Sequence, residues 1–165
     1  MNESRTTPAV GAVAPALSLP SDDGGTFDLA TQKGHYVVVV FYPRDDTPGC
    51  TTEACDLRDR WAQFCALGCA VVGVSSDNAA RHLKFRAKYA LPHVLATDDD
   101  HATLERWGAW GEKKFLGRTS VGVLRSTYLI APDGTVAAAW PKVRVKGHID
   151  DVLAALQGAA AGQIA

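Results

Sequence analysis

The clearest structural signal in this chain is the segment Tyr36-Val-Val-Val-Val-Phe-Tyr-Pro-Arg-Asp-Asp-Thr-Pro-Gly-Cys-Thr-Thr-Glu-Ala-Cys55. Its apolar, mostly β-branched opening, residues 36–42, is typical of a strand that is covered on both faces. Thr47 and Pro48 then indicate a helix start, because threonine is a favoured N-cap and proline suits the first helical position. Cys50 therefore falls in the first helical turn.

A cysteine in a first helical turn is well placed for sulfur chemistry. Unpaired backbone N–H groups and the positive end of the helix dipole favour the thiolate, which is the nucleophilic form. Spacing alone leaves a second interpretation open, in which Cys50 is a small buried side chain below a well-capped helix. At 100° per residue, the side chains that share its face and should point at the sheet are Ala54, Leu57, Trp61 and Phe64.

Cys50 and Cys55 cannot form a disulfide while this helix stays intact. Cys55 lies about 140° around the helix from Cys50 and about 7.5 Å along it, so the two Cα atoms are about 8.6 Å apart. A disulfide tolerates no more than about 7 Å between Cα atoms. If the two thiols are redox partners, the first turns must unwind in every cycle. Otherwise, Cys55 is an unreactive surface thiol.

The other two cysteines and Arg125 have weaker sequence signals. Cys65 falls on the apolar face of the predicted helix and Cys69 precedes a β-branched run, so both are predicted to be small buried residues. The alternative, a zinc site, is disfavoured because no Cys-x-x-Cys occurs and the histidines are scattered, so no metal is predicted. Arg125 precedes a predicted strand, where its cation can approach Cys50 or can simply be exposed.

Turn signals and apolar periodicity predict an α/β fold, with a mixed central sheet flanked by helices and an N-terminal β-hairpin. Strand–helix units come first and a hairpin comes last, which fits a thioredoxin-like architecture. The whole chain, 1–165, is expected to form one domain with a frayed tail at 158–165. The predicted elements are a hairpin of 16–19 and 27–29, strand 36–42, helix 51–66, strand 70–75, helix 78–90, strand 94–96, helix 101–107, a glycine-rich loop 108–123, a hairpin of 126–130 and 135–140, and helix 149–156.

The overall composition excludes several classes of protein. The chain is 47% hydrophobic and 21% charged, as ordinary globular proteins are, and its net charge of −1 argues against nucleic acid or anionic membrane as a partner. The first twenty residues lack the pattern of a signal peptide, and the longest apolar run is far too short to cross a bilayer. A cytoplasmic protein is therefore predicted.

The segment from Phe41 to Asp59 closely resembles the peroxiredoxins, and most closely their bacterioferritin-comigratory, or peroxiredoxin Q, subfamily. The family signature Pro-x-x-x-Thr-x-x-Cys is matched by Pro43, Thr47 and Cys50. The likeness covers nearly the whole chain, from about Val10 to Leu156, and implies the thioredoxin-like fold. Further matching segments are Gly108-Ala-Trp-Gly-Glu-Lys-Lys114, Arg125-Ser-Thr-Tyr-Leu-Ile130 and Lys142-Val-Arg-Val-Lys-Gly-His148.

This resemblance implies a thiol-dependent peroxidase for hydrogen peroxide and organic hydroperoxides, which serves antioxidant defence without a cofactor. Cys50 is implied to be the peroxidatic cysteine, which attacks the O–O bond and becomes a sulfenic acid. Thr47 and Arg125 match residues that hold the thiolate and the peroxide oxygens, and Pro43 matches one that shields the pocket. The residues implied to support the pocket further are Glu53 and Gly49.

The resemblance also implies that Cys55 is the resolving cysteine. It would condense with the sulfenic acid to give a transient intramolecular Cys50–Cys55 disulfide, which thioredoxin or a similar donor would reduce. Since resolution needs no second subunit, a monomer is implied. Two other interpretations remain: a thiol–disulfide oxidoreductase that acts on proteins, disfavoured by the missing Cys-x-x-Cys, and a redox-sensing module whose disulfide only switches its shape.

Overall fold

The fold is a layered α/β arrangement built on a mixed central sheet. The computed structural model describes residues 6–162. Its elements are, in chain order, β1 (Ser18–Pro20), β2 (Thr26–Asp28), a 3-10 helix (Leu29–Gln32), β3 (Val37–Phe41), α1 (Pro48–Asp59), α2 (Trp61–Ala66), β4 (Ala70–Ser75), α3 (Ala79–Tyr89), β5 (Val94–Thr97), α4 (Ala102–Arg106), β6 (Trp110–Phe115), β7 (Arg118–Val123), β8 (Ser126–Ile130), β9 (Val136–Trp140) and α5 (His148–Gly162).

The central sheet has five strands in the order β5-β4-β3-β8-β9. β3, β4 and β5 run parallel, whereas β8 pairs antiparallel with β3, and β9 antiparallel with β8. The predicted mixed sheet is therefore confirmed. The predicted N-terminal hairpin is also confirmed, because β1 pairs antiparallel with β2 and places Leu19 opposite Phe27.

Strand β3 is buried along its whole length, which explains its unbroken apolar sequence. Val38 and Val40 face a cluster that α1 and α5 cover, while the alternate side chains face a second cluster on the other side of the sheet. There Phe41 packs against Trp107, with the two ring centroids 5.5 Å apart. Each valine contributes about 1.5–3 kcal/mol by burial, so β3 rigidly positions the chain that leads into α1.

The predicted helix over 51–66 is two helices. α1 ends at Asp59 and α2 begins at Trp61, because the chain turns at Arg60. The Arg60 guanidinium binds the carboxylate of Asp150 in α5 and the Asp56 carbonyl oxygen, with Nη1–O at 3.1 Å. The backbone of Arg60, at φ −109° and ψ 10°, separates the two helices, and its side chain links this turn to α5.

Two further differences concern the second half of the chain. The segment 108–123, predicted to be a loop, contains the hairpin β6–β7, whose two-residue turn has Leu116 at φ +51° and Gly117 at φ +77°. Leucine is unusual in such a turn, which is why the sequence did not reveal it.

Helix α5 continues to Gly162, so residues 158–162 of the predicted frayed tail are helical. Residues 163–165 lie outside the described part. The predicted hairpin over 126–140 is present as β8–β9.

Candidate active site

Cys50 lies at the N-terminus of α1, just beyond the carboxyl end of β3. Thr47 is the N-cap residue, as predicted, but its side chain does not cap the helix. Its hydroxyl instead donates to the carbonyl oxygen of Arg44 at 2.8 Å, while its own carbonyl accepts from the Thr51 amide. Because the Thr47 side chain accepts no hydrogen bond from the N–H groups of the first turn, these donors remain available to an anion at this end of the helix.

The Cys50 thiol is buried and faces a guanidinium. Only 2% of Cys50 is exposed, and Nη2 of Arg125 lies 3.3 Å from its Sγ. The same guanidinium donates from Nη1 to Oε1 of Glu53 at 2.9 Å. Arg125 directly precedes β8, the antiparallel neighbour of β3, and so the sheet topology brings it to the start of α1. The structure thus brings Arg125 to Cys50 and Glu53, from which it is more than 70 residues away along the chain.

Gly49 allows this close approach. A Cβ atom at this position would lie 3.1 Å from Nη2 of Arg125 and 3.7 Å from a methyl group of Val145. Any larger residue would therefore push the guanidinium away from Cys50. Pro43 is half-buried in the connection between β3 and α1.

A buried polar network that sequence reasoning missed holds the same connection. Asp45, which is 2% exposed, accepts from the hydroxyl of Tyr42 at 2.5 Å and lies 2.6 Å from Nδ1 of His82. The second ring nitrogen of His82 lies 3.1 Å from the carbonyl oxygen of Ala96. Both ring nitrogens of His82 thus lie within hydrogen-bond distance of an oxygen atom. The network anchors the chain just before the Cys50 helix. His82 lies 37 residues from Asp45, and no local spacing signals the pair.

The other cysteines lie in three different environments. Cys55 is half-buried on α1, the helix that also carries Cys50, and both thiols are free. Cys69 is buried, as predicted, and burial raises the pKa of its thiol to about 12. Cys65 is exposed, so the prediction that it is buried was wrong. Because the helix is interrupted at Arg60, Cys65 does not lie on the buried face that begins at Cys50.

Glu53 and His93 line a small cavity behind Cys50, of about 10 Å³. Glu53 is 2% exposed and His93 is likewise buried. Burial raises the pKa of Glu53 to about 7, although the Arg125 guanidinium opposes this shift. Burial, followed by the charge of Arg86, lowers the pKa of His93 to about 4. Near neutral pH the cavity therefore favours an uncharged imidazole and a carboxyl group that titrates readily.

Residues 6–162 contain no group of three or more metal-binding side chains close enough to hold an ion. In the same part of the chain, no helix has both the length and the apolar character needed to cross a bilayer.

Comparison with known proteins gives consistent matches. Residues 10–139 match the AhpC/TSA family. The chain is 44% identical over 148 residues to peroxiredoxin Bcp of Bacillus subtilis, covering 90% of this chain and 94% of that protein. It is 39% identical over 143 residues to peroxiredoxin Bcp of Escherichia coli, covering 87% and 92%.

Solved structures agree with these matches. A structure of the Xanthomonas campestris bacterioferritin comigratory protein, reported with its alkyl peroxide reduction activity, superposes with a TM-score of 0.82 at 40% identity, covering 87% of this chain and 92% of that one. A mutant of Xylella fastidiosa PrxQ superposes with a TM-score of 0.87 at 29% identity, covering 94% and 99%. These likenesses confirm the thioredoxin-like fold that the sequence predicts.

Proposed function

The chain belongs to the AhpC/TSA family, in its Bcp or peroxiredoxin Q branch, and is a thiol-dependent peroxidase; from this premise we propose that Cys50 is the peroxidatic residue. The observation that carries the proposal is the 3.3 Å contact between Nη2 of Arg125 and the Cys50 sulfur at a helix N-terminus. Both the guanidinium and the first-turn N–H groups favour the thiolate.

The first step is the attack of the Cys50 thiolate on the terminal oxygen of the hydroperoxide. An S–O bond forms as the O–O bond breaks, and the sulfur is oxidised to a sulfenic acid. The hydroxide or alkoxide that leaves takes a proton from solvent and becomes water or an alcohol. Negative charge develops on the leaving oxygen, which Arg125 and the N-terminal amides of α1 can stabilise without rearrangement. Thr47, the N-cap residue of α1, is proposed to orient the peroxide, and half-buried Pro43 is proposed to shield the pocket.

The proposed substrates are hydrogen peroxide and organic hydroperoxides. The reported alkyl peroxide reduction by the Xanthomonas relative supports the organic substrates. No cofactor is needed, since the sulfur itself carries the two electrons.

Cys55 is proposed to resolve the sulfenic acid. Its thiolate attacks the Cys50 sulfur, the S–O bond breaks as the disulfide forms, and the hydroxide that leaves takes a proton from solvent to become water. The spacing of about 8.6 Å along intact α1 requires its first turns to unwind during this step. The disulfide is then reduced by thioredoxin or a similar dithiol protein. Since both cysteines belong to one helix, a monomer can complete the cycle, and the reducing cytoplasm is the proposed location.

Mass spectrometry after one equivalent of peroxide tests both cysteine roles. The wild type should lose two hydrogens, Cys55→Ala should retain a sulfenic acid that dimedone traps, and Cys50→Ser should remain unchanged. Cys65→Ser, which alters an exposed thiol, is the matched control and should behave as the wild type. Peroxide consumption by Cys50→Ser at the wild-type rate would contradict the assignment of Cys50. Multiple turnovers of Cys55→Ala with thioredoxin would contradict that of Cys55.

A further inference from the structure

The connection between β9 and α5, residues 141–147, runs beside the active site and is called the strap below. The N–H group of Val143 donates to the carbonyl oxygen of Arg125 at 3.3 Å. A methyl group of Val145 and the Arg125 guanidinium both approach Gly49, at 3.7 and 3.1 Å from the point that a Cβ atom would occupy there. The strap therefore contacts the backbone of Arg125 and bounds the space in which its guanidinium meets Cys50.

The side chains of the strap alternate in exposure. Val143 and Val145 are half-buried, whereas Lys142, Arg144 and Lys146 are exposed and form no ion pair with the residues that the structure describes. The cations therefore do not fix the strap. Its position depends on its two valines, its backbone and the anchors at its two ends.

Both ends of the strap are anchored to one buried residue, Thr127 of β8. At the first end, Trp140 is the partner of Thr127 in the β8–β9 ladder. At the second end, Nε2 of buried His148 lies 2.8 Å from Oγ1 of Thr127, and the ring packs edge-on against Trp140 with centroids 5.7 Å apart. Gly147, at φ +73°, lets the chain turn from the strap into α5. Thr127 follows Arg125 by two residues, so the strap is closed next to the residue that it contacts.

The His148 contact closes the strap, and its loss should loosen this loop more than the rest of the fold. Closing a short loop at both ends leaves it few conformations, which keeps Val145 next to Gly49. Without the imidazole, a buried hydroxyl loses a partner and the second end of the strap can move. Helix α5 itself stays packed on the sheet through Ile149 and Val152, which are fully buried.

We propose that His148 is a positioning residue for peroxide attack: through Thr127 it holds the strap against Arg125 and so keeps the guanidinium beside the Cys50 sulfur. His148 acts through Arg125, 3.3 Å from that sulfur, and not on the sulfur directly. The inference rests on the proposed role of Cys50. It gives a function to the segment Lys142–His148, for which the resemblance to the peroxiredoxins implied none.

Single-turnover oxidation of Cys50 by hydrogen peroxide, followed by stopped flow, tests this role from both sides of the contact. His148→Leu removes the ring nitrogen and should slow the attack about 4- to 13-fold, which corresponds to losing half of the hydrogen bond from Arg125. Thr127→Val, which is close to isosteric, should slow it similarly and answers the same question if His148→Leu does not fold. His148→Gln, whose amide can donate or accept, should recover most of the rate.

A double-mutant cycle distinguishes positioning from a general loss of structure. In Arg125→Met the guanidinium is absent, so adding His148→Leu should slow the attack no further, although urea denaturation should show that it still lowers stability. Leu104→Val is the matched control, because Leu104 is fully buried in the cluster on the other side of the sheet. It should lose stability and keep the wild-type rate.

Three results would overturn the proposal: a wild-type rate in folded Thr127→Val, a folded His148→Gln as slow as His148→Leu, or a further loss of rate when His148→Leu is added to Arg125→Met. Failure of the proposed function gives a different result. In that case Cys50 of the wild-type protein would not react with hydrogen peroxide at all.

Discussion

Replacing Gly49 by alanine should slow peroxide attack without destabilising the fold. The new Cβ would lie 3.1 Å from Nη2 of Arg125, closer than an ordinary contact of roughly 3.5 Å. The guanidinium must therefore retreat by a few tenths of an ångström from its present 3.3 Å separation from the Cys50 sulfur. The backbone of Gly49 does not lie in the left-handed region, so alanine can adopt it without strain.

The size of the effect follows from the contact that is weakened. A hydrogen bond to a charged group contributes about 1.5–3 kcal/mol, and a loss of roughly half of it slows the reaction about 4- to 13-fold. Helix propensity, by contrast, should make the Gly49→Ala variant more stable. Alanine is favoured over glycine by up to about 1 kcal/mol within a helix, so the free energy of unfolding should stay equal or increase.

Stopped-flow oxidation of Cys50 and urea denaturation measure the two quantities separately. Gly158→Ala is the matched control, because Gly158 lies within α5 and a Cβ there would meet nothing within 4 Å. It should gain stability similarly and keep the wild-type rate. If Gly49→Ala reacted as fast as the control, or lost stability, the reasoning about the Arg125 approach would be refuted.

Three further changes test other parts of the structure. Arg125→Met should slow Cys50 oxidation by about 10- to 100-fold, from the loss of about 1.5–3 kcal/mol, yet remain folded because Glu53 then takes up a proton; a rate near that of the wild type would contradict this. Phe64→Ala should lower the free energy of unfolding by about 3–5 kcal/mol in urea, since Phe64 is fully buried. Burial lowers the pKa of His148 to about 4, so the folded protein binds this proton less readily than the unfolded chain. Stability should therefore fall as pH drops from 6.5 towards 4, by up to about 3 kcal/mol for this residue, and a variant His148→Asn that showed the same pH dependence would exclude the cause.

Local sequence patterns were sufficient for much of the fold. The β-branched run of β3, the Thr47–Pro48 helix start and the turn between β8 and β9 each depend on neighbouring residues, and each prediction was confirmed. The position of Cys50 in the first turn of α1 follows from the same local rules. Glu53 was predicted as a neighbour of that cysteine only through the family resemblance, which also favoured the interpretation that Arg125 approaches Cys50.

Two predictions failed where the backbone departs from the pattern of its local sequence. The apolar pattern predicts one continuous helix with Cys65 on its buried face, but the chain leaves the helical conformation at Arg60 and Cys65 is exposed. The hairpin β6–β7 is built on a turn whose leucine takes a positive φ, against its usual preference. In both cases one residue adopts a backbone conformation that its type does not favour, so local patterns do not predict it.

The sequence specified where a reactive sulfur lies, since a strand, a cap and a helix start are all encoded within a few neighbouring residues. Only the folded chain showed what surrounds that sulfur: Arg125 is 75 residues from Cys50 along the chain, and the cavity joins Glu53 to His93 from a different strand connection. The physical reason is that desolvation and charge pairing depend on which groups become neighbours in space. Those neighbours are determined by the packing of the whole sheet and its helices, not by spacing along the chain.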